Sequence, residues 1–130
     1  MNLKNNIIMI VDDNEFDLYI TSRLIQSNRL ADEVLEFDSG QLAINYLELN
    51  KDNILKLPRL IFLDIYMPLM NGFQFIEQFK GLPTKVKDYC KICIVSSTID
   101  DKYIYKAKVE ENINLFTSKP ITVDYIKSVL

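Results

Sequence analysis

Short runs of apolar residues alternate along the chain with longer stretches in which apolar positions recur every three or four residues. Ile7–Val11 is a continuous apolar run of strand length. Phe16, Tyr19, Ile20, Leu24 and Ile25 then recur at helical spacing, and Asn14, with Asp17 three residues on, can cap that helix start. Glu33–Phe37 reads as a second, more polar strand. Asp38 or Ser39 can cap a helix carrying Leu42, Ala43, Tyr46 and Leu47. Residues 50–58 are polar and end in proline, so they form a loop. Residues 60–65 are the third strand, followed by a loop with Pro68 and Asn71-Gly72 as turn signals. Phe73, Ile76 and Phe79 mark a third helix, which Gly81-Leu82-Pro83 ends. Residues 92–95 form the fourth strand, and 100–110 a helix with Tyr103, Ile104 and Ala107 on one face. Residues 113–117 form the fifth strand, and 123–130 a last helix with Val123, Ile126 and Leu130 inward.

Five strands alternating with five helices imply parallel pairing, because each crossover helix returns the chain to the same edge of the sheet. Continuously apolar strands fit a sheet covered on both faces. The pattern therefore predicts an α/β, doubly wound, flavodoxin-like sheet with strand order 2-1-3-4-5. Ligands of such sheets bind at the carboxyl ends of the strands, at the switch point beside the first. The chain shows no repeat, low-complexity segment or linker, so residues 1–130 are expected to form a single domain with no output domain attached.

The composition narrows the function more than the fold. Nearly half of the 130 residues are apolar, a quarter are charged, and the net charge is −3 with both signs interspersed. No basic stripe points to nucleic acid. No apolar run reaches membrane-spanning length, and the N-terminal one stops at Asp12-Asp13, so a cytoplasmic protein is expected. The chain contains no histidine, which excludes histidine general catalysis, histidine metal ligands and a phosphohistidine carrier role. Cys90 and Cys93 form a C-x-x-C, but zinc would need further Cys or His ligands, and there are none. They read as two small core residues at the start of a strand, where residues three apart point to opposite faces.

The predicted strand ends carry the chemistry. Strand one ends in Asp12-Asp13, strand three in Asp64, strand four in Ser96-Ser97, and strand five in Phe116-Thr117-Ser118-Lys119-Pro120. Singly, each has an ordinary explanation: a solvated turn, a helix cap or a strand stop. Together they bring three carboxylates, a hydroxyl and an ammonium to one rim. Adjacent carboxylates raise one another's pKa unless a cation intervenes. Hard oxygen ligands without sulfur or imidazole select Mg²⁺ or Mn²⁺, and Mg²⁺ leaves room for phosphate oxygens. The added lysine and serine suit phosphoryl transfer, in which a carboxylate can itself be the nucleophile.

The blocks "IVDDNE", "IFLDIYMPLMNG", "IVSST" and "LFTSKP" resemble the signature blocks of the receiver domain of two-component response regulators, in order and spacing across essentially the whole chain. The chain is most similar to small stand-alone receivers of the chemotaxis type. The resemblance implies that Asp64 accepts the phosphoryl group. It implies that Asp13 and Asp64 bind Mg²⁺ directly, Asp12 through water, and the backbone carbonyl of Tyr66 completes the set. Ser96 would donate to the phosphoryl oxygen, Lys119 would pair with the phosphate or, without it, with Asp64, and Phe116 would turn inward when Ser96 moves. Lys119-Pro120 would be a cis peptide. The implied partners are a sensor histidine kinase or histidine phosphotransfer protein, docking near Phe16–Ile25, and a downstream protein target, with no nucleic acid and no membrane. Ser96 stands where threonine is common and Phe116 where tyrosine is also common. The hydroxyl is kept at the first position, and none is available at the second.

Three other readings compete. A haloacid-dehalogenase-type phosphatase also places its nucleophilic Asp after an apolar strand, but needs a second Asp two residues on, where this chain has Tyr66. An FMN binder would cradle a phosphate after strand one, where "DDNE" would repel it. A degenerate receiver that only binds partners would not need Asp12, Asp13, Asp64, Ser96 and Lys119 together.

Overall fold

The computed structural model describes residues 6–97, 106, 108, 113 and 115–130. Five parallel strands form one sheet in the order β2-β1-β3-β4-β5, with β1 Ile7–Val11, β2 Glu33–Phe37, β3 Leu60–Asp64, β4 Lys91–Ser96 and β5 Leu115–Ser118. The chain has the α/β flavodoxin-like architecture that the alternation of runs predicts. β1 and β3 are buried along their whole length because helices cover both faces. Strand β2 lies at the edge and keeps Glu33 and Glu36 exposed, charges that discourage another strand from pairing there.

Alternation along each strand divides the core in two. Met9, Val11, Ile61, Leu63, Ile92 and Ile94 face α2 (Gly40–Leu49), α3 (Gly72–Lys80) and a short α4 (Thr84–Tyr89). Ile8, Ile10, Leu60, Phe62, Cys93 and Val95 face α1 (Glu15–Ser27) and α5 (Val123–Val129). Each fully buried aliphatic or aromatic side chain contributes about 1.5–3 kcal/mol by leaving water. Cys90 belongs to the first cluster and Cys93 to the second, so the pair lies on opposite faces with both thiols free and buried. Burial pushes the Cys90 thiol up to about 12 and the Cys93 thiol to about 11, which leaves both unreactive near neutrality.

Local chemistry sets the helix starts. The Asn14 side chain accepts from the Asp17 N–H, and Ser39, rather than Asp38, accepts from Leu42 N–H. Asn71 and Gln74 bond reciprocally in a capping box at α3.

Several details differ from the sequence expectation. Helix α1 splits the stripe that its spacing predicts: Phe16, Tyr19 and Ile20 are 71%, 58% and 44% exposed, whereas Ile25 is buried and Leu24 packs against the core. The inward face is Leu18, Ser22 and Ile25, at i, i+4 and i+7, and the buried Ser22 hydroxyl donates to Glu36 at 3.0 Å. Helix α4, six residues with only Val86 buried, is too short to leave a periodic signal. Leu130 is 45% exposed because α5 ends at Val129; Ile126 is its buried anchor, with Val123, Tyr125 and Val129 packed alongside. A 3₁₀ turn, Ile54–Lys56, lies within the expected loop 50–58. Of the helix expected over 100–110 only residues 106 and 108 are described, and Tyr103, Ile104 and Ala107 lie outside the described residues. Among the described residues no helix is long and apolar enough to cross a membrane.

Candidate functional site

The sheet order puts the carboxyl ends of β1, β3 and β4 side by side, with β5 next to β4. Asp12 follows β1 directly, and its backbone N–H donates to the Phe37 carbonyl of β2 at 3.0 Å, which fixes the chain as it leaves the sheet. Asp12 Oδ1 accepts from the Asn14 N–H at 2.9 Å and so bends the loop into α1. Asp64 is the last residue of β3, and its Oδ1 accepts from the Tyr66 N–H at 3.1 Å. Each of Asp12, Asp13 and Asp64 offers a carboxylate oxygen within 4.8 Å of the others. Asp12 and Asp64 are buried; Asp13 is exposed, and it leaves the cluster open to water on one side.

The loop after β3 is held close by Gly72. A Cβ there would lie 2.9 Å from Ile65 Cα and 3.2 Å from the Asp64 carbonyl oxygen, and the Gly72 N–H donates to Ile65 at 3.0 Å. The start of α3 can therefore press against the end of β3 only because this residue lacks a side chain.

Lys119 reaches the cluster from the end of β5. Its backbone N–H donates to the Ser96 carbonyl at 3.0 Å, and the Lys119–Pro120 peptide bond is cis. Its ammonium lies 2.8 Å from Asp12 Oδ2, 2.8 Å from Asp17 Oδ2 and 3.5 Å from Asp64 Oδ2. Asp64 is thus the farthest of its three carboxylate partners, and Asp17 is a site residue that the sequence reading treated only as part of a helix cap.

Burial pushes the Asp64 carboxyl up from 3.8 to about 6. The Tyr66 N–H and the Lys119 ammonium oppose that rise, and the neighbouring Asp12 reinforces it. Burial pulls the Lys119 ammonium down, but the hydrogen bonds to Asp12 and Asp17 and the charges of Asp64 and Asp12 more than offset this and hold it above its ordinary value.

The remaining predicted residues flank this centre. Ser96 ends β4 and is buried. Phe116 is half-buried on β5 against the core, with the Lys108 ammonium 5.8 Å from its ring centre. The Tyr66 side chain is partly exposed beside the cluster.

Three hard carboxylate oxygens on one small patch, partly open to water, fit a divalent cation of the Mg²⁺ class. Burial, reinforced by the neighbouring Asp12, disfavours the charged form of Asp64, and a bound cation would offset both effects.

Comparison with known proteins agrees with this geometry. The family model described as "Response regulator receiver domain" matches residues 8–130. A response regulator receiver protein from Dyadobacter fermentans superposes with a TM-score of 0.84 at 31% identity, covering 95% of this chain and 94% of that one. A two-component response regulator from Cytophaga hutchinsonii superposes with a TM-score of 0.87 at 26% identity, covering 97% and 94%. A curated relative described as "Probable methanogenesis regulatory protein FilR2", from Methanothrix harundinacea, is 23% identical over 93% of this chain and 76% of its own length. Four other curated relatives are much longer, and the matched region spans 10% to 21% of them. The family model spans nearly the whole chain and the solved receiver proteins share its fold, so the chain belongs to the family of response regulator receiver domains of two-component signalling.

Proposed function

We propose that this chain is a phosphorylation-operated switch that takes a phosphoryl group from a partner's phosphohistidine onto Asp64. The observation that carries the reading is the meeting of Asp12, Asp13, Asp64 and the Lys119 ammonium at the carboxyl edge of the sheet. Residues 1–130 contain no histidine, so the phosphohistidine lies outside them. A sensor histidine kinase or a histidine phosphotransfer protein is the partner class. The exposed apolar face of α1, Phe16, Tyr19 and Ile20, lies beside the site and supports docking there.

In the transfer, an Asp64 carboxylate oxygen forms a bond to phosphorus while the phosphorus–nitrogen bond to the imidazole breaks. The electron pair stays on the imidazole nitrogen, which takes a proton from solvent. Asp64 is mostly ionised above pH 6, so the nucleophile is available at neutrality. Asp12, Asp13 and Asp64, with the backbone carbonyl of Tyr66, would hold Mg²⁺, which supplies a hard positive centre for the phosphoryl oxygens. Lys119 supplies a second positive charge near the acceptor, and the Ser96 hydroxyl donates to a phosphoryl oxygen. Later attack by water on phosphorus breaks its bond to Asp64, releases inorganic phosphate and restores the carboxylate.

The new charge on Asp64 would favour an arrangement in which Ser96 has moved toward the phosphoryl group and Phe116 has turned inward, changing the protein-binding face around β5 and α5. A downstream protein that binds this face is the output. The test is transfer from a labelled phosphohistidine domain. Label should move to wild type and not to Asp64→Asn, and Phe16→Ala with Ile20→Ala should slow the transfer. Equal labelling of wild type and Asp64→Asn would overturn the assignment.

A further inference from the structure

Lys119 is shared between two sets of carboxylates. Its ammonium sits 2.8 Å from Asp17 on α1 and 2.8 Å from Asp12, but 3.5 Å from Asp64, the proposed acceptor. Asp17 lies in the first turn of α1, where its backbone N–H is held by the Asn14 side chain, so its carboxylate is presented from a fixed point. A cavity of about 240 Å³ lies at the same place, lined in part by Asp12, Asp17, Thr21, Asp64, Lys119 and Ile121. The ammonium therefore has space to change partners without displacing the core.

We propose that Asp17 is a positioning residue that holds Lys119 away from Asp64 in the resting chain and yields it when a phosphoryl group arrives. The inference rests on the phosphorelay reading above. It follows from competition for one cation. In the resting state Asp17 and Asp12 hold the ammonium at hydrogen-bonding distance. A phosphoryl group on Asp64 brings additional negative charge and three acceptor oxygens, which outbid a single, partly exposed carboxylate. Until then, the energy of the Asp17–Lys119 pair opposes the use of Lys119 in transfer. A partly exposed ion pair of this kind corresponds to about a two- to fivefold effect on a rate.

The variant is Asp17→Asn, which keeps shape and the α1 backbone but removes the charge. Two readouts are needed. The first is the ¹⁵N resonance of the Lys119 ammonium in metal-free, unphosphorylated protein, assigned by its loss in Lys119→Arg. The second is the rate of phosphoryl uptake from acetyl phosphate with Mg²⁺. The proposal expects the resting resonance to differ between wild type and Asp17→Asn and to converge after phosphorylation. It also expects uptake about two- to fivefold faster in Asp17→Asn and restored toward wild type in Asp17→Glu. Identical resting resonances, or uptake that is unchanged or slower in Asp17→Asn, would overturn it. A wild type that takes up no phosphoryl group removes the phosphorelay reading and the release step. In that case the resting resonances still decide whether Asp17 holds Lys119.

Discussion

Asp64→Asn should stabilise the metal-free fold at neutral pH and leave it nearly unchanged in acid. The carboxyl is buried, and its pKa rises from 3.8 to about 6 on folding. Below pH 4 the group is protonated in both states, and the folded chain carries no penalty. As pH rises from 4 toward 6 the unfolded chain releases its proton while the folded chain retains it, so stability is lost across that window. Well above pH 6 the buried carboxylate carries its full cost, at most about 3 kcal/mol and less where solvent screens it. Asparagine keeps an acceptor for the Tyr66 N–H, 3.1 Å from Oδ1, and removes the charge. It also removes the contact of Asp64 with Lys119, which retains Asp12 and Asp17. The net gain should be about 1–3 kcal/mol at pH 7.5. Urea unfolding in chelator, from pH 4 to 7.5, measures it. A difference between variant and wild type that is flat with pH, or a variant less stable at pH 7.5, would refute the electrostatic reasoning.

Three further outcomes follow from the same geometry. Mg²⁺ at ten times its dissociation constant should stabilise wild type by about 1.4 kcal/mol in thermal unfolding, and Asp13→Ala, which removes the exposed one of the three proposed ligands, should lose most of that gain. Gly72→Ala should cost about 1–3 kcal/mol in denaturant unfolding, because the new Cβ meets backbone at Ile65 and Asp64 rather than a yielding side chain; a neutral result would mean the loop after β3 is not held by that contact. Tyr66→Asn should shorten the lifetime of the phosphorylated chain, since the Tyr66 side chain stands two residues beyond Asp64 where water must approach; an unchanged decay rate would contradict this.

The sheet was legible in the sequence because β1, β3 and β4 are short apolar runs bounded by turn residues, and parallel pairing follows from the alternation of strands with helices. The acidic rim was legible because it lies at strand ends, where the backbone alone decides position. Helix faces were harder to read. In α1 the first half of the apolar stripe, Phe16, Tyr19 and Ile20, is exposed, and the buried stripe is interrupted by Ser22, whose polarity is satisfied by Glu36 on β2. No sequence window shows that pairing across 14 residues. Asp17 was hidden for a different reason. An acidic residue in the first turn of a helix already has an explanation in the helix dipole, so its contact with Lys119, 102 residues away, adds no local signal. Leu130 fits the inward stripe of the last helix by count alone, but α5 stops one residue before it.

The central claim is that Asp64 is a phosphoryl acceptor served by Asp12, Asp13 and Lys119. Its most direct test is intact-mass spectrometry after incubation with a small phosphodonor and Mg²⁺. The account predicts one phosphoryl adduct on wild type, no adduct on Asp64→Asn, and none on wild type when chelator replaces Mg²⁺. An adduct that persists in Asp64→Asn, or a wild-type chain that stays unmodified with several donors, would contradict it.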